Sequence, residues 1–70
     1  MMIVLKISGN VTVALPKVSS DFDTALKYAK QEADDNTLAN FEIYELHGRR
    51  LAYSQVKRQG GLLAIEWFTT

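Results

Sequence analysis

Seventy residues, 47% of them hydrophobic, with eight basic and eight acidic side chains and no cysteine, describe one small globular domain spanning residues 1–70. This composition excludes a disordered chain and a disulfide or cysteine-metal framework, and it lacks the basic excess of a dedicated nucleic-acid module. The first residues, Met1–Lys6, carry no basic leader region, and no apolar run approaches the roughly 18 residues of a membrane span, so the expected setting is cytoplasmic and reducing, with no membrane partner.

The first elements read as a hairpin. Residues 3–7 and 11–15 are rich in β-branched side chains and flank Ser8-Gly9-Asn10. A three-residue loop there predicts Ile3, Leu5 and Ile7 on one face with Val11, Val13 and Leu15. Pro16, with no N–H to give to a ladder, is expected to end the second strand.

A helix follows, with Ser20 as its expected N-cap and Asp21 in the first turn, where an acid complements the dipole. Phe22, Ala25, Leu26, Ala29 and Ala33 share one stripe, and Lys27, Lys30, Gln31, Glu32 and Asp34 take the other side. The stripe is alanine-rich, which lets the helix lie close to a sheet. The run Asp34-Asp35-Asn36-Thr37 is expected to stop it.

Residues 41–46, 50–56 and 62–68 are three further strand candidates, joined at His47-Gly48 and at Gln59-Gly60-Gly61. Two-residue loops put Phe41, Ile43, Ala52, Ser54, Val56, Leu63, Ile65 and Trp67 on one face, which is the expected core face. The other face collects Glu42, Tyr44, Leu46, Leu51, Tyr53, Gln55, Ala64, Glu66 and Phe68. The predicted fold is α+β: an antiparallel sheet of about five strands with one helix on one face, ordered ββ-α-βββ, a two-layer sandwich with nothing over its outer face.

No catalytic constellation is legible. There is one histidine, His47, at an expected hairpin tip, and the pairs Asp21/Asp23 and Asp34/Asp35 flank the helix, where capping and solvation account for them. No spacing suits a metal and no glycine-rich loop suits a phosphate, so no cofactor and no enzymatic activity are expected.

Features suited to binding remain. Tyr44, Leu51, Tyr53 and Phe68 give the outer face an aromatic, apolar centre of the kind that marks a partner surface. Arg49, Arg50, Lys57 and Arg58 hold half of the positive charge within ten residues, whereas residues 21–35 hold five acids against two lysines. The two basic pairs fall at opposite ends of the fourth strand, about 20 Å apart by strand rise, and Arg50 is expected to pair with Glu45 across the hairpin. An open sheet also leaves two edge strands for a second copy or a partner strand, with Lys57 and Arg58 opposing such pairing locally.

The layout, the stretch Gly48-Arg49-Arg50-Leu51-Ala52-Tyr53 and the late Trp67 resemble small phage-encoded accessory proteins, and among them a family of type I anti-CRISPR inhibitors with one helix on an antiparallel sheet. The resemblance covers roughly residues 22–68. The chain departs from the family in its extra leading hairpin and its lack of net positive charge. The resemblance implies a stoichiometric inhibitor docking on a host defence complex, partly through basic side chains, with Arg49, Arg50 and Tyr53 as the candidates by position.

The expected function is therefore a non-enzymatic protein-binding module, a phage-type inhibitor of a host protein, that uses Tyr44, Arg49, Arg50, Leu51, Tyr53, Lys57, Arg58 and Phe68. An alternative is a self-associating accessory protein, a homodimer whose outer faces pair across a two-fold axis. A third is a nucleic-acid binder using the same arginines and tyrosines, placed last because the net charge is zero.

Overall fold

The computed structural model describes residues 1–36 and 38–70. Five strands and one helix follow in the expected order: β1 (Met2–Ser8), β2 (Val11–Ser19), α1 (Phe22–Asp35), β3 (Asn40–Glu45), β4 (Arg50–Gln59) and β5 (Leu62–Thr69). The strands form one antiparallel sheet in the order β2-β1-β3-β4-β5, so the first strand lies inside the sheet and β2 and β5 are its edges. The helix packs on β3, β1 and β2. The fold is thus the α+β two-layer sandwich that the pattern predicts.

The core is small and built for close approach. Val4, Phe41 and Ile43 are its largest fully buried side chains, and Ala25, Ala29, Ala33, Ala39 and Ala52 fill the space between helix and sheet. Alanines on α1 remove the bulk that would hold the helix axis away from β1 and β3. Tyr28, one turn beyond Ala25, is buried beside them, a helix position that the five-residue stripe leaves out.

The last three strands keep the expected face. Ile43 pairs with Ala52, Ser54 with Trp67 and Val56 with Ile65, which aligns the core side chains across β3, β4 and β5. The β4–β5 turn is Gly60-Gly61, with φ of 57° and 82°. Positive φ at both central residues defines the I′ turn that suits a two-residue hairpin.

The loop between β3 and β4 is built differently from the expected two residues. The Gly48 N–H donates to the Glu45 carbonyl at 2.7 Å and the Glu45 N–H donates to the Arg49 carbonyl at 3.1 Å, so three residues form the loop. His47 lies at φ 62°, a region where histidine is enriched among non-glycine residues. A bulge then follows: Tyr44 pairs with Arg50 and Ile43 with Ala52, leaving Leu51 as the extra residue. One added loop residue and one bulged residue together restore the parity of a two-residue loop.

The first hairpin corrects two expectations. Its register sets Ser8 opposite Val11, so the turn is two residues, Gly9-Asn10, with Gly9 at φ 61° as a II′ turn requires. Ile3, Leu5 and Ile7 therefore do not share a face with Val11, Val13 and Leu15. They align with Val18, Ala14 and Thr12, and with Tyr44, Glu42 and Asn40 on the other side, all on the face away from the helix. Val4 is the residue of β1 that enters the core.

Pro16 does not end β2. Pairing runs from Leu5↔Ala14 to Ile3↔Val18, so Leu15, Pro16 and Lys17 together lie opposite Val4 alone. The irregularity on an edge strand is where a residue without an N–H costs no ladder bond.

At the helix start the cap is Asp21 rather than Ser20. The Thr24 N–H donates to Asp21 Oδ1 at 2.8 Å, and this bond holds the Asp21 carboxyl below the usual aspartate range. At the other end the Asn36 N–H donates to the Ala33 carbonyl at 3.2 Å and the Asn36 amide donates to the Glu32 carbonyl at 3.0 Å. Lys6 crosses from β1 to donate to Asn36 Oδ1 at 2.9 Å, fixing the helix end to the sheet. Thr37, the last residue of the expected stop, lies outside the described residues.

Candidate functional site

The sheet face away from the helix carries a row that crosses all five strands: Ala14, Leu5, Glu42, Tyr53 and Phe68 align in register. Beside it, Val18, Ile3 and Tyr44 form a second row that reaches the bulge at Arg50 and Leu51. Strand alternation explains why these side chains share a face, and the single helix lies on the opposite one. Ile3, Leu5, Ile7, Tyr44, Leu51, Tyr53 and Phe68 are all half-buried, each shielded by its neighbours, and among the described residues no second layer covers them.

At the centre of this face lies one ion pair. Arg50 Nη1 donates to Glu42 Oε2 at 3.0 Å, so the partner of Arg50 is Glu42 and not Glu45. The bulge is the cause: it turns Arg50 out of strict alternation and onto the outer face. The same guanidinium lies over the Tyr53 ring at 4.1 Å from its centroid, within cation–π range. Tyr53 in turn stacks on Phe68, with ring centroids 5.0 Å apart. Glu42, Arg50, Tyr53 and Phe68 thus form one chain of contacts across three strands.

Asn40, Glu42, Arg50, Tyr53 and Gln55 rim a hollow of about 290 Å³ where β3 and β4 part. Glu42 Oε2 is taken by Arg50 there. Among the described residues, no group of three histidine, cysteine, aspartate or glutamate side chains comes together to hold a metal. No helix among them is long and apolar enough to cross a membrane.

The sequence-predicted residues divide. Tyr44, Arg50, Leu51, Tyr53 and Phe68 come together on the outer face, and Lys57, opposite Ala64, lies further along the same face. Arg58 pairs with Leu63 and belongs to the helix side, so Lys57 and Arg58 do not act from one surface. Arg49 is exposed at the mouth of the β3–β4 turn. Lys57 and Arg58 also lie on β4, inside the sheet, and do not guard the edge. Ile3, Leu5 and Ile7 are additions to the face; the Ser8-Gly9-Asn10 segment allows two loop lengths, and only the shorter one sends them outward.

Comparison with protein-family models, with characterised proteins and with solved structures finds no match.

Proposed function

We propose that this chain is a non-enzymatic protein-binding module that docks on a host protein through the outer sheet face, as a phage-type stoichiometric inhibitor. The observation that supports docking is the row Ala14–Leu5–Glu42–Tyr53–Phe68 with no layer over it. Sheets in two-layer domains commonly leave one face to water, but that face is then polar. Here the part built from Ile3, Leu5, Tyr44, Leu51, Tyr53 and Phe68 is aromatic and aliphatic around one ion pair, with Gln55, Lys57 and Glu66 only toward the β4–β5 turn, the composition of an interface with a fixed orienting charge and a polar rim. Arg49 and Lys57 at its margins suit carboxylates at the rim of the partner. The inhibitor reading is supported by the resemblance of residues 48–53 and Trp67 to small phage inhibitors.

A nucleic-acid partner is less well served. Arg50 is engaged by Glu42, and Lys57 and Arg58 face opposite sides of the sheet, which divides the charge that phosphate contact would need.

The test is capture from nuclease-treated bacterial lysate with tagged protein, with Tyr53→Glu as the control. The reading expects a host protein recovered at one-to-one stoichiometry by the parent alone, and inhibition of that protein on addition of the parent. Equal recovery by Tyr53→Glu, folded by circular dichroism, would remove the outer face from the interaction.

A further inference from the structure

The two edges of the sheet are not alike. On β2 the edge is interrupted: Leu15, Pro16 and Lys17 bulge opposite Val4, and the strand carries a proline and a lysine at its middle. Such features block pairing with another strand. On β5 nothing of the kind occurs. Its eight residues, Leu62–Thr69, run in unbroken register with β4, with no proline and no basic residue, and with Glu66 as the one charge. Its outward row of N–H and C=O groups is a template for a further strand, and Leu62 and Leu63 on it are 75% and 44% exposed.

Behind this edge, on the helix side, the sheet is uncovered as well. The helix packs on β1–β3, and a groove of about 470 Å³ runs between α1, at Lys30, Ala33 and Asp34, and β5, at Leu63, Ile65 and Trp67.

We propose that β5 pairs antiparallel with the β5 of a second copy of this chain, about a two-fold axis through Ile65, to make a continuous ten-stranded sheet. The strand is self-complementary in that register. An axis perpendicular to the sheet keeps both helices on one side and makes opposed residues share a face. On the helix side Ile65 then meets its own copy and Leu63 meets the partner's Trp67. On the outer side Leu62 meets the partner's Phe68 and Ala64 meets the partner's Glu66. The charge selects this register. Moving the axis by one residue, to Glu66, slides the strands by two and places the two Glu66 carboxylates opposite each other, which is unfavourable. Moving it the other way, to Ala64, places Glu66 against Leu62 and leaves both Trp67 and Phe68 without an opposing residue in the strand. The backbone edge is distinct from the outer face and meets it only at Phe68, so pairing leaves the rest of that face, around Leu5, Tyr44 and Tyr53, open.

The experiment is sedimentation equilibrium of the full chain together with single-cysteine cross-linking, which a cysteine-free protein makes unambiguous. The parent is expected at twice its 7.9 kDa chain mass. Ile65→Cys should form an intermolecular disulfide on mild oxidation, because directly opposed residues have Cα atoms within disulfide range. Leu63→Cys should not, its two copies lying roughly 13 Å apart along the strands. Leu63→Glu should sediment as a monomer while staying folded, since it faces Arg58 within its own chain. Val13→Glu on the other edge should remain a dimer. A monomeric parent overturns the proposal. So does a dimer that survives Leu63→Glu or that cross-links through Leu63→Cys as readily as through Ile65→Cys.

Discussion

The Phe41 N–H donates to the Ser54 hydroxyl at 2.8 Å, in a strand pair whose ladder has its last register pair at Glu42↔Tyr53. One step further on, the Val56 N–H donates to Asn40 Oδ1 at 3.2 Å. Two side chains thus replace two backbone acceptors where β4 leaves β3. The small polar Ser54, 3% exposed in the core face, is there to receive an N–H that would otherwise be buried without a partner.

Ser54→Ala leaves that N–H unsatisfied in a dry site and should cost about 1–3 kcal/mol. Chemical denaturation measures the loss. Amide exchange at Phe41 should accelerate by more than the global destabilisation accounts for; equal acceleration across β3 would show that the bond carries no local role.

Ile43 is fully buried between α1 and the centre of the sheet. Ile43→Ala should cost about 2–5 kcal/mol, against a total stability on the order of 5 kcal/mol for a domain of this size. The variant is expected to be largely unfolded at 37 °C, with loss of cooperative melting by circular dichroism.

Gly61 has φ 82° with open space around the position of a Cβ. The penalty for a side chain is therefore conformational and not steric crowding by neighbours. Gly61→Ala should destabilise by about 1 kcal/mol, read as a lowered melting temperature, and Gly61→Asn should recover part of it.

Asp21 has its carboxyl lowered in the folded state by the Thr24 N–H. A depressed folded value gives stability that is present above the unfolded value of 3.8 and is lost as pH falls through the folded one. The melting temperature should accordingly drop below pH 4. Asp21→Asn keeps a capping acceptor and does not titrate, so it should flatten that part of the pH profile. An unchanged profile would assign the acid sensitivity to other carboxylates.

Arg50 and Glu42 are 39% and 20% exposed. A pair so placed contributes at most about 1 kcal/mol, and the Tyr53 ring adds a comparable amount at most. Arg50→Ala should therefore lower stability only slightly, with part of the difference vanishing in 1 M salt, while weakening partner capture far more than it weakens the fold.

What could be read from residues alone follows from how many solutions each segment allows. Gly60-Gly61 is the one pair in its region able to hold φ positive twice, and the shared core face of β4 and β5 follows from it; β3 keeps that face because the added loop residue and the bulge at Leu51 cancel. Segment 3–7 is apolar in both parities, so Ile3, Val4, Leu5 and Ile7 say nothing about which face is inside. Lys6 even lies on the helix side, where its stem reaches Asn36. The bulge at Leu51 leaves no mark in composition, and without it Arg50 points toward Glu45. Ser20 and Asp21 are both good caps, and only the backbone path chooses between them. The outer face was therefore half legible: its β3–β5 residues were, its β1 residues were not.

The position of β1 has a consequence for how the domain comes apart. β1 and β2 are joined by a two-residue turn, and β3, β4 and β5 form a meander of short connections. The one pairing between these two local units is β1 with β3, where Ile3 meets Tyr44 across some forty residues of chain. The helix is laid along this join, on β1 and β3, and works as a splint. Partial opening should run along that single line, releasing a hairpin and a three-stranded meander that are each still paired internally, and the amides that bond across it should exchange sooner than those bonded within either unit.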